Sequence, residues 1–420
     1  MMKSTSKPAI LGGERLKAEP WPNWPYMTDG DIEELVQVLK SGNWCRICYG
    51  EDSDESKIVQ FERSFARMQD ARYAVSCSNG TAALEIALRA AGIKPGDEVI
   101  VPAFTFIASA SAVLQIGGLP VFADIEEDTF CIDPDSVEQL INPNTRGIVV
   151  VHMGGRPANM DRIMEIARKH RLIVIEDCAQ ANLAEWRGQK VGSIGDAGTF
   201  SFQNSKNISS GEGGAVTTNS EEIADMSYSL HHIGRKKGDR FYTHHYASWN
   251  YRLTEIQAAI LLSQMSRAEE QNAIRQENGR YLYELLSGIE GIRLPRQDDR
   301  ITNNGYHLYL FNIDEERFGI NRDLLLEALY AEGVPLFGGY GPLYKNPLFT
   351  EKNFGVNGYI EGKTVDYQSA YCPNVEKVSK TGMGFYQSTL LGTREDMETL
   401  AESIIRIRNH AHELKSRGNS

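Results

Sequence analysis

Cysteine is scarce in this chain, with six in 420 residues. That is too few for the disulfide frameworks that hold small secreted domains together. Long apolar runs are missing too, and none reaches the ~18 residues that read as a membrane span. The start, "MMKSTSKPAILGGERLKAEP", lacks the apolar stretch of a signal peptide, so a cytoplasmic protein is expected. There is no basic stripe: 44 Lys and Arg stand against 56 Asp and Glu, a net charge of −12 spread along the chain. A phosphate backbone would need clustered positive charge, so nucleic acid is not an expected partner. Neither a G-x-G-x-x-G behind a strand nor a P-loop signature is present, so the usual nucleotide signatures fail and a nicotinamide-dependent dehydrogenase is disfavoured. Cys45 and Cys48 form a C-x-x-C in "WCRIC". No second such pair and no His pair completes a zinc site, so they read as two reduced thiols in a turn.

What the sequence does have is alternation. From about Ala74 to Asn219 short apolar runs alternate with helical patterns: "AVSCS", "DEVIVPA", "LPVFADI", "RGIVVVHM" and "LIVIEDCA" are separated by stretches such as "TAALEIALRAAG" and "NMDRIMEIARKH". Near-continuous apolar strands belong to a parallel sheet covered by helices on both faces, with ligands gathered at the carboxyl ends of the strands. A long helical pattern then runs from Thr254 to about Leu286. After it the texture changes, with "GYHLYLFNI" as a strand, "NRDLLLEALYAEGV" as a helix and an amphipathic helix at the carboxyl end. The expected organisation is an extended arm over residues 1–30, where "PWPNWP" forbids helix, a large ligand-binding α/β domain over 31–269 and a smaller α+β domain over 270–420.

Four stretches carry candidate chemistry. In "SNGTAAL" a strand stops, Ser78, Asn79 and Gly80 turn the chain, and a helix begins near Thr81. The free N–H groups and positive helix end there make either an ordinary N-cap or an anion cradle that Thr81 completes. In "VIEDCAQ", Glu176 and Asp177 end a strand. Such a carboxylate is either a solvated cap or the partner of a protonated ring nitrogen, keeping that ring an electron sink. In "PAFTFIAS", Phe104 and Phe106 are core residues or a stacking face for a flat cofactor. In "GTFSFQNSKNISSGEGGAVTTN", Lys206 lies between two strand-like runs. It is either a surface charge or an enclosed amine able to form a Schiff base with a carbonyl cofactor. The glycines behind it allow turns and the close approach of a planar ligand. Pyridoxal 5′-phosphate is the cofactor that needs an anion cradle, a stacking ring, an acid and an amine together.

At these residues the chain resembles the sugar aminotransferases of the DegT/DnrJ/EryC1/StrS group, a family of fold-type I pyridoxal phosphate enzymes. The likeness runs from "GDEVIVPAFTFIASA" through "IEDCAQA", "GDAGTFSFQNSK" and "GEGGAVTTN" to "NYRLTEIQAAI". It is nearest the branch that holds the inosose aminotransferases and 3-amino-5-hydroxybenzoate synthase, through "PWPNWP", "GNWCR", "SFQNSK" and "YCPNVEK". The resemblance implies a catalytic Lys206 bound to the cofactor's aldehyde, Asp177 on the ring nitrogen and Gln180 near the phenolic oxygen. It also implies Phe106 stacked on the ring, and Asn79, Gly80, Thr81 and Ser201 around the phosphate. Asn250 in "WNYRL" matches a position that reaches the phosphate of a neighbouring subunit, which implies an active homodimer. The implied reaction moves an amino group from L-glutamine or L-glutamate to a keto-cyclitol or keto-sugar, in aminocyclitol or antibiotic-type biosynthesis. The rival expectations are an aminodehydroshikimate dehydratase or aromatase of the same fold, and a non-catalytic regulator that only binds cofactor or sugar. Two segments depart from the family pattern: Asn182 and Leu183 after "DCAQA", and Tyr386 and Gln387 in "GFYQSTLLG".

Overall fold

Strands that are apolar on both faces need cover on both faces, and the molecule is built on that requirement. The computed structural model describes residues 6–50, 52–240, 242–355 and 365–417. A seven-stranded sheet runs in the order Tyr73–Cys77, Gly214–Thr218, Ala197–Ser201, Ile173–Asp177, Thr145–Val151, Glu98–Pro102, Leu119–Ala123. Its neighbours pair in parallel, except that Gly214–Thr218 is antiparallel to both strands beside it. The chain is therefore an α/β protein with a mixed, mostly parallel sheet. Every residue of Ala197–Ser201 and Gly214–Thr218 is buried.

Because the remaining strands run one way, Cys77, Pro102, Val151, Asp177 and Ser201 all end on one rim. Helices Gly80–Ala90 and Ala108–Gln115 start on that rim. The central strand Ala197–Ser201 is fixed from behind by aromatic packing. Phe200 and Phe202 meet Phe65 of helix Lys57–Met68 edge-on, at 4.9 and 5.2 Å between ring centroids, each contact contributing about 1 kcal/mol beyond burial.

A second, four-stranded antiparallel sheet follows the order Ile292–Arg293, Leu308–Ile313, Gly382–Tyr386, Leu336–Phe337. It has its own core, in which Phe311, Leu325, Met383, Phe385 and Ile404 are buried. One sequence expectation changes here. The helical pattern from Thr254 to Leu286 is two helices, Glu255–Met265 and Ala268–Leu286. Arg267 leaves helical geometry at φ −116°, ψ 1°, and its guanidinium turns back to Asp31 at 2.7 and 3.0 Å. The break lets Leu261 pack behind the large sheet while Leu282 and Leu286 enter the second core.

Among the described residues of the amino-terminal segment, a short 3-10 turn, Ala9–Leu11, precedes helix Asp29–Ser41. Among the described residues no helix is long and apolar enough to cross a membrane.

Candidate active site

The rim opens onto a cavity of about 830 Å³. Of the residues singled out in the sequence, Asn79, Gly80, Thr81, Phe106, Asp177, Gln180, Ser201 and Lys206 all border it. Asn250 does not; it is exposed and bridges to His232.

The turn after Tyr73–Cys77 explains the first group. Asn79 is fully extended (φ −169°, ψ 169°) and its side chain accepts from the Ala82 N–H at 2.8 Å. It is thus an N-cap, and the helix it caps aims its positive end into the cavity. Gly80 must be glycine here, because a Cβ on it would stand 2.7 Å from Cβ of Ser201. That approach brings the Ser201 hydroxyl beside the helix start. Gly214 has the same cause: a Cβ would meet the Asn79 carbonyl oxygen at 2.4 Å. The room made by this glycine of "GEGG" is filled by the protein's own turn rather than by a planar ligand.

Strand alternation separates the two acids. Asp177 borders the cavity, while Glu176 is buried on the opposite side and accepts from the N–H groups of Ile194 and Gly195 at 2.9 and 2.7 Å. Glu176 also meets His152 Nε2 at 3.0 Å. His152 Nδ1 accepts from the Ala158 N–H at 3.1 Å, so Nε2 carries the proton that Glu176 receives. Cys178 completes a buried trio of possible metal ligands with these two. Both imidazole nitrogens are already committed, however, and burial pushes the Cys178 thiol far up, so the trio reads as structural. Asp177 accepts from Ser109 Oγ at 2.7 Å and from the Ala179 N–H at 3.2 Å. Burial raises its pKa against the pull of those two bonds and of the Lys206 charge.

Lys206 follows the strand by five residues, in a turn where its N–H donates to the Gln203 carbonyl at 2.8 Å. Burial lowers its pKa from 10.5 to about 8, with the Asp177 charge opposing. Its carbonyl accepts from Trp24 Nε1 at 3.1 Å, which ties the amino-terminal segment to the turn that carries Lys206. Gln180 is held by the Gly154 N–H, which donates to Oε1 at 2.8 Å, while Nε2 faces Tyr340 Oη at 3.5 Å. The two phenylalanines divide as the open alternatives allowed. Phe104 is buried against Phe130 and Tyr340, whereas Phe106 borders the cavity with 56% of its surface exposed.

The second sheet supplies residues that sequence reasoning missed. His307, Phe337 and Tyr340 close the cavity from the far side. His307 is fully enclosed, and burial together with the Lys206 and Arg275 charges holds it neutral, well below its usual pKa. The local sequence around "GYHL" and "FGGYGP" flags none of them. Tyr386 of the departing segment does border the cavity. Its neighbour Gln387 is instead buried, accepting from the guanidinium of Arg275, and Asn182 and Leu183 are buried behind the rim.

A buried amine, a buried carboxylate and a helix amino terminus around one cavity are the donor set that pyridoxal phosphate requires, and the residues present fit that group.

Comparison with known proteins agrees. The profile of the DegT/DnrJ/EryC1/StrS aminotransferase family matches residues 25–371. The L-glutamine:2-deoxy-scyllo-inosose aminotransferase of Streptomyces kanamyceticus is 37% identical over 424 residues, covering 98% of this chain and 99% of that protein. The 3-amino-5-hydroxybenzoate synthase of Amycolatopsis mediterranei is 35% identical over 393 residues, covering 92% and 97%. Among solved structures, a 3-amino-5-hydroxybenzoic acid synthase superposes with a TM-score of 0.84 at 33% identity, covering 96% of this chain and all of the other.

Proposed function

Because the chain belongs to the DegT/DnrJ/EryC1/StrS aminotransferase family and is a pyridoxal phosphate-dependent transaminase, we propose that it moves the amino group of L-glutamine or L-glutamate to a ketone on a cyclitol or sugar ring. The observation that carries this reading is the meeting of Lys206 and Asp177 in one 830 Å³ cavity with room beyond the cofactor for a ring-sized substrate.

In this reading Lys206 is the point of attachment for the cofactor's aldehyde. Asp177, its carboxylate fixed by Ser109 and the Ala179 N–H, would hold the ring nitrogen protonated. Gln180 would serve the phenolic oxygen and Phe106 would cover the ring. Asn79, Gly80, Thr81 and Ser201 hold the phosphate at the helix start. The bound cofactor supplies an electron sink for charge developing at the donor's α-carbon. Lys206 Nζ would be the base that takes the proton from the donor's α-carbon and the acid that delivers it again. An amine with a pKa of about 8 suits both tasks near neutral pH. Neutral His307 lies beside this amine without adding a competing charge. Asn250, exposed and away from its own cavity, is assigned to the phosphate of a second copy, which makes the working unit a cytoplasmic homodimer. The division into an arm to residue 30, a large domain to 269 and a small domain to 420 belongs to the same proposal.

The test is amination, followed by mass spectrometry, with L-glutamine or L-glutamate as donor. The acceptors are 2-deoxy-scyllo-inosose, a nucleotide-linked keto-sugar and an aminodehydroshikimate-type acid. Transfer to a ring ketone is expected, and no transfer to any acceptor would sink the proposal. The similarity to hydroxybenzoate synthases supports a second reading. It predicts an aromatic product from the third compound without consumption of a donor. A binding-only regulator predicts that glutamine leaves the absorbance of the cofactor-loaded protein unchanged.

A further inference from the structure

A second cavity, of about 420 Å³, lies on the other side of the wall formed by residues 305–308. His307 faces the catalytic cavity, Tyr306 faces the second, and Leu308 borders both. Gln276, Arg280 and Tyr283 present one face of helix Ala268–Leu286 to it, at spacings that stack side chains along a helix. Arg156 enters from the loop after the strand Thr145–Val151.

Its electrostatics are lopsided. Neither Arg156 nor Arg280 forms an ion pair among the described residues. Arg156 Nη2 donates to the Arg296 carbonyl at 2.8 Å, and Arg280 Nε only to the Gln276 carbonyl at 3.3 Å. The carboxylate bordering the cavity, Asp298, is committed to Arg300 through Nε at 2.8 Å and Nη2 at 2.7 Å. Both guanidinium charges act on the Tyr306 phenol, opposing the burial that raises its pKa, and Arg156 also acts on Asp298. Tyr309 also borders the cavity and is 95% buried, since only 5% of it is exposed. Its hydroxyl is itself buried and has no hydrogen-bond partner among the described residues, so Tyr309 offers the cavity its ring.

Tyr306 itself sits at φ 44°. A bulky aromatic residue is strained there, and such strain persists where the surroundings enforce it. A Cβ on Gly279 would stand 2.6 Å from the Tyr306 ring, so the ring is wedged against the helix and stacks on Tyr309 at 6.2 Å.

We propose that this cavity is a binding site for a small organic oxyanion, a carboxylate or phosphate on a body of ring size, held between Arg156 and Arg280 against the tyrosine rings. The two guanidinium groups, neither in an ion pair among the described residues, offer N–H donors to the oxyanion, and the rings supply apolar walls. The site is separate from the catalytic cavity, so it binds with cofactor in place.

The experiment is calorimetric titration of the pyridoxal phosphate-loaded enzyme with sodium benzoate and, separately, with inorganic phosphate. Saturable binding of at least one is expected, and the pattern distinguishes carboxylate from phosphate. Arg280 is exposed and without an ion pair, so its variants should fold normally. Arg280→Glu should weaken binding by about tenfold or more, and Arg280→Lys should restore most of it. The rate of amination should be the same in all three proteins. Absence of saturable binding by both anions overturns the proposal. So does an affinity that Arg280→Glu leaves unchanged, since that places the anion in the catalytic cavity.

Discussion

Lys206 acquires its chemistry from where it is put. A free lysine holds its proton until far above neutral pH, whereas this one, enclosed by the cavity, titrates at about 8. Only the neutral amine can attack an aldehyde. At pH 7.5 about a quarter of Lys206 is neutral, against about one part in a thousand for an unperturbed lysine. Attachment of the cofactor to the cofactor-free enzyme should therefore accelerate as pH rises through about 8 and level off above it. Stopped-flow absorbance over that range checks the midpoint, and a rate still climbing at pH 10 would contradict the burial argument. Asp177 acts on the same titration with the opposite sign, since its charge favours the protonated amine. Asp177→Asn should move the midpoint down while cutting amination by about a hundredfold or more, because the ring nitrogen loses the group that keeps it protonated. The pairing "IED" shows what a single residue gives away in sequence. Two adjacent acids at a strand end are ambiguous on paper. Alternation sends one to the cavity and the other to His152, and which goes where depends on the sheet's facing, which local sequence does not carry.

At the scale of elements, what could be read in advance was what periodicity encodes. Runs such as "EVIVP" and "GIVVV" are strands because a sheet buried on both faces uses such residues, and the carboxyl ends of these parallel strands lie on one rim. Two features escaped. His307, Phe337 and Tyr340 come from a second sheet whose closure over the first has no local signature. The helix break at Arg267 lies among good helix formers, and the guanidinium there meets Asp31, 236 residues earlier. Asp31 is almost completely buried. Burial alone would raise its pKa, but the Thr28 N–H and the Arg267 guanidinium outweigh it and hold the carboxyl below its usual range. A carboxyl with a depressed folded-state pKa stabilises above its unfolded pKa of about 3.9 and loses that contribution as pH falls through the folded value. Asp31→Asn should therefore cost about 3 kcal/mol near neutral pH, and the gap to wild type should narrow in denaturation measured progressively below pH 4. A second element test concerns the helix start. Gly80→Ala forces a Cβ toward Ser201 and should spread the cradle, weakening cofactor retention by about tenfold, or about 1.4 kcal/mol. Dialysis against a cofactor trap measures it, with thermal unfolding of the cofactor-free form confirming that the helix persists.

For the whole molecule, the segment that carries Asn250 also exposes two large aromatic rings. Tyr242 is 80% exposed and Trp249 68% exposed, on the same segment that carries Asn250. Large exposed aromatic side chains of this kind mark protein contacts. If a second copy covers them, a two-fold arrangement gives each cavity Lys206 from one chain and Asn250 from the other. The consequence is a complementation that a self-sufficient subunit cannot show. Lys206→Ala has no amine for the cofactor. Asn250→Asp puts a negative charge against the phosphate it is proposed to hold, so each variant alone should be inactive or nearly so. Mixed in equal amounts and allowed to exchange, about half the dimers are hybrids. Each hybrid then has one cavity with both defects and one with neither, so about a quarter of wild-type activity should return. If Asn250 serves its own chain, every cavity in the mixture keeps one defect and mixing restores nothing. Sedimentation of the same mixture shows whether dimers are present, so a failure of assembly is told apart from a failure of the assignment.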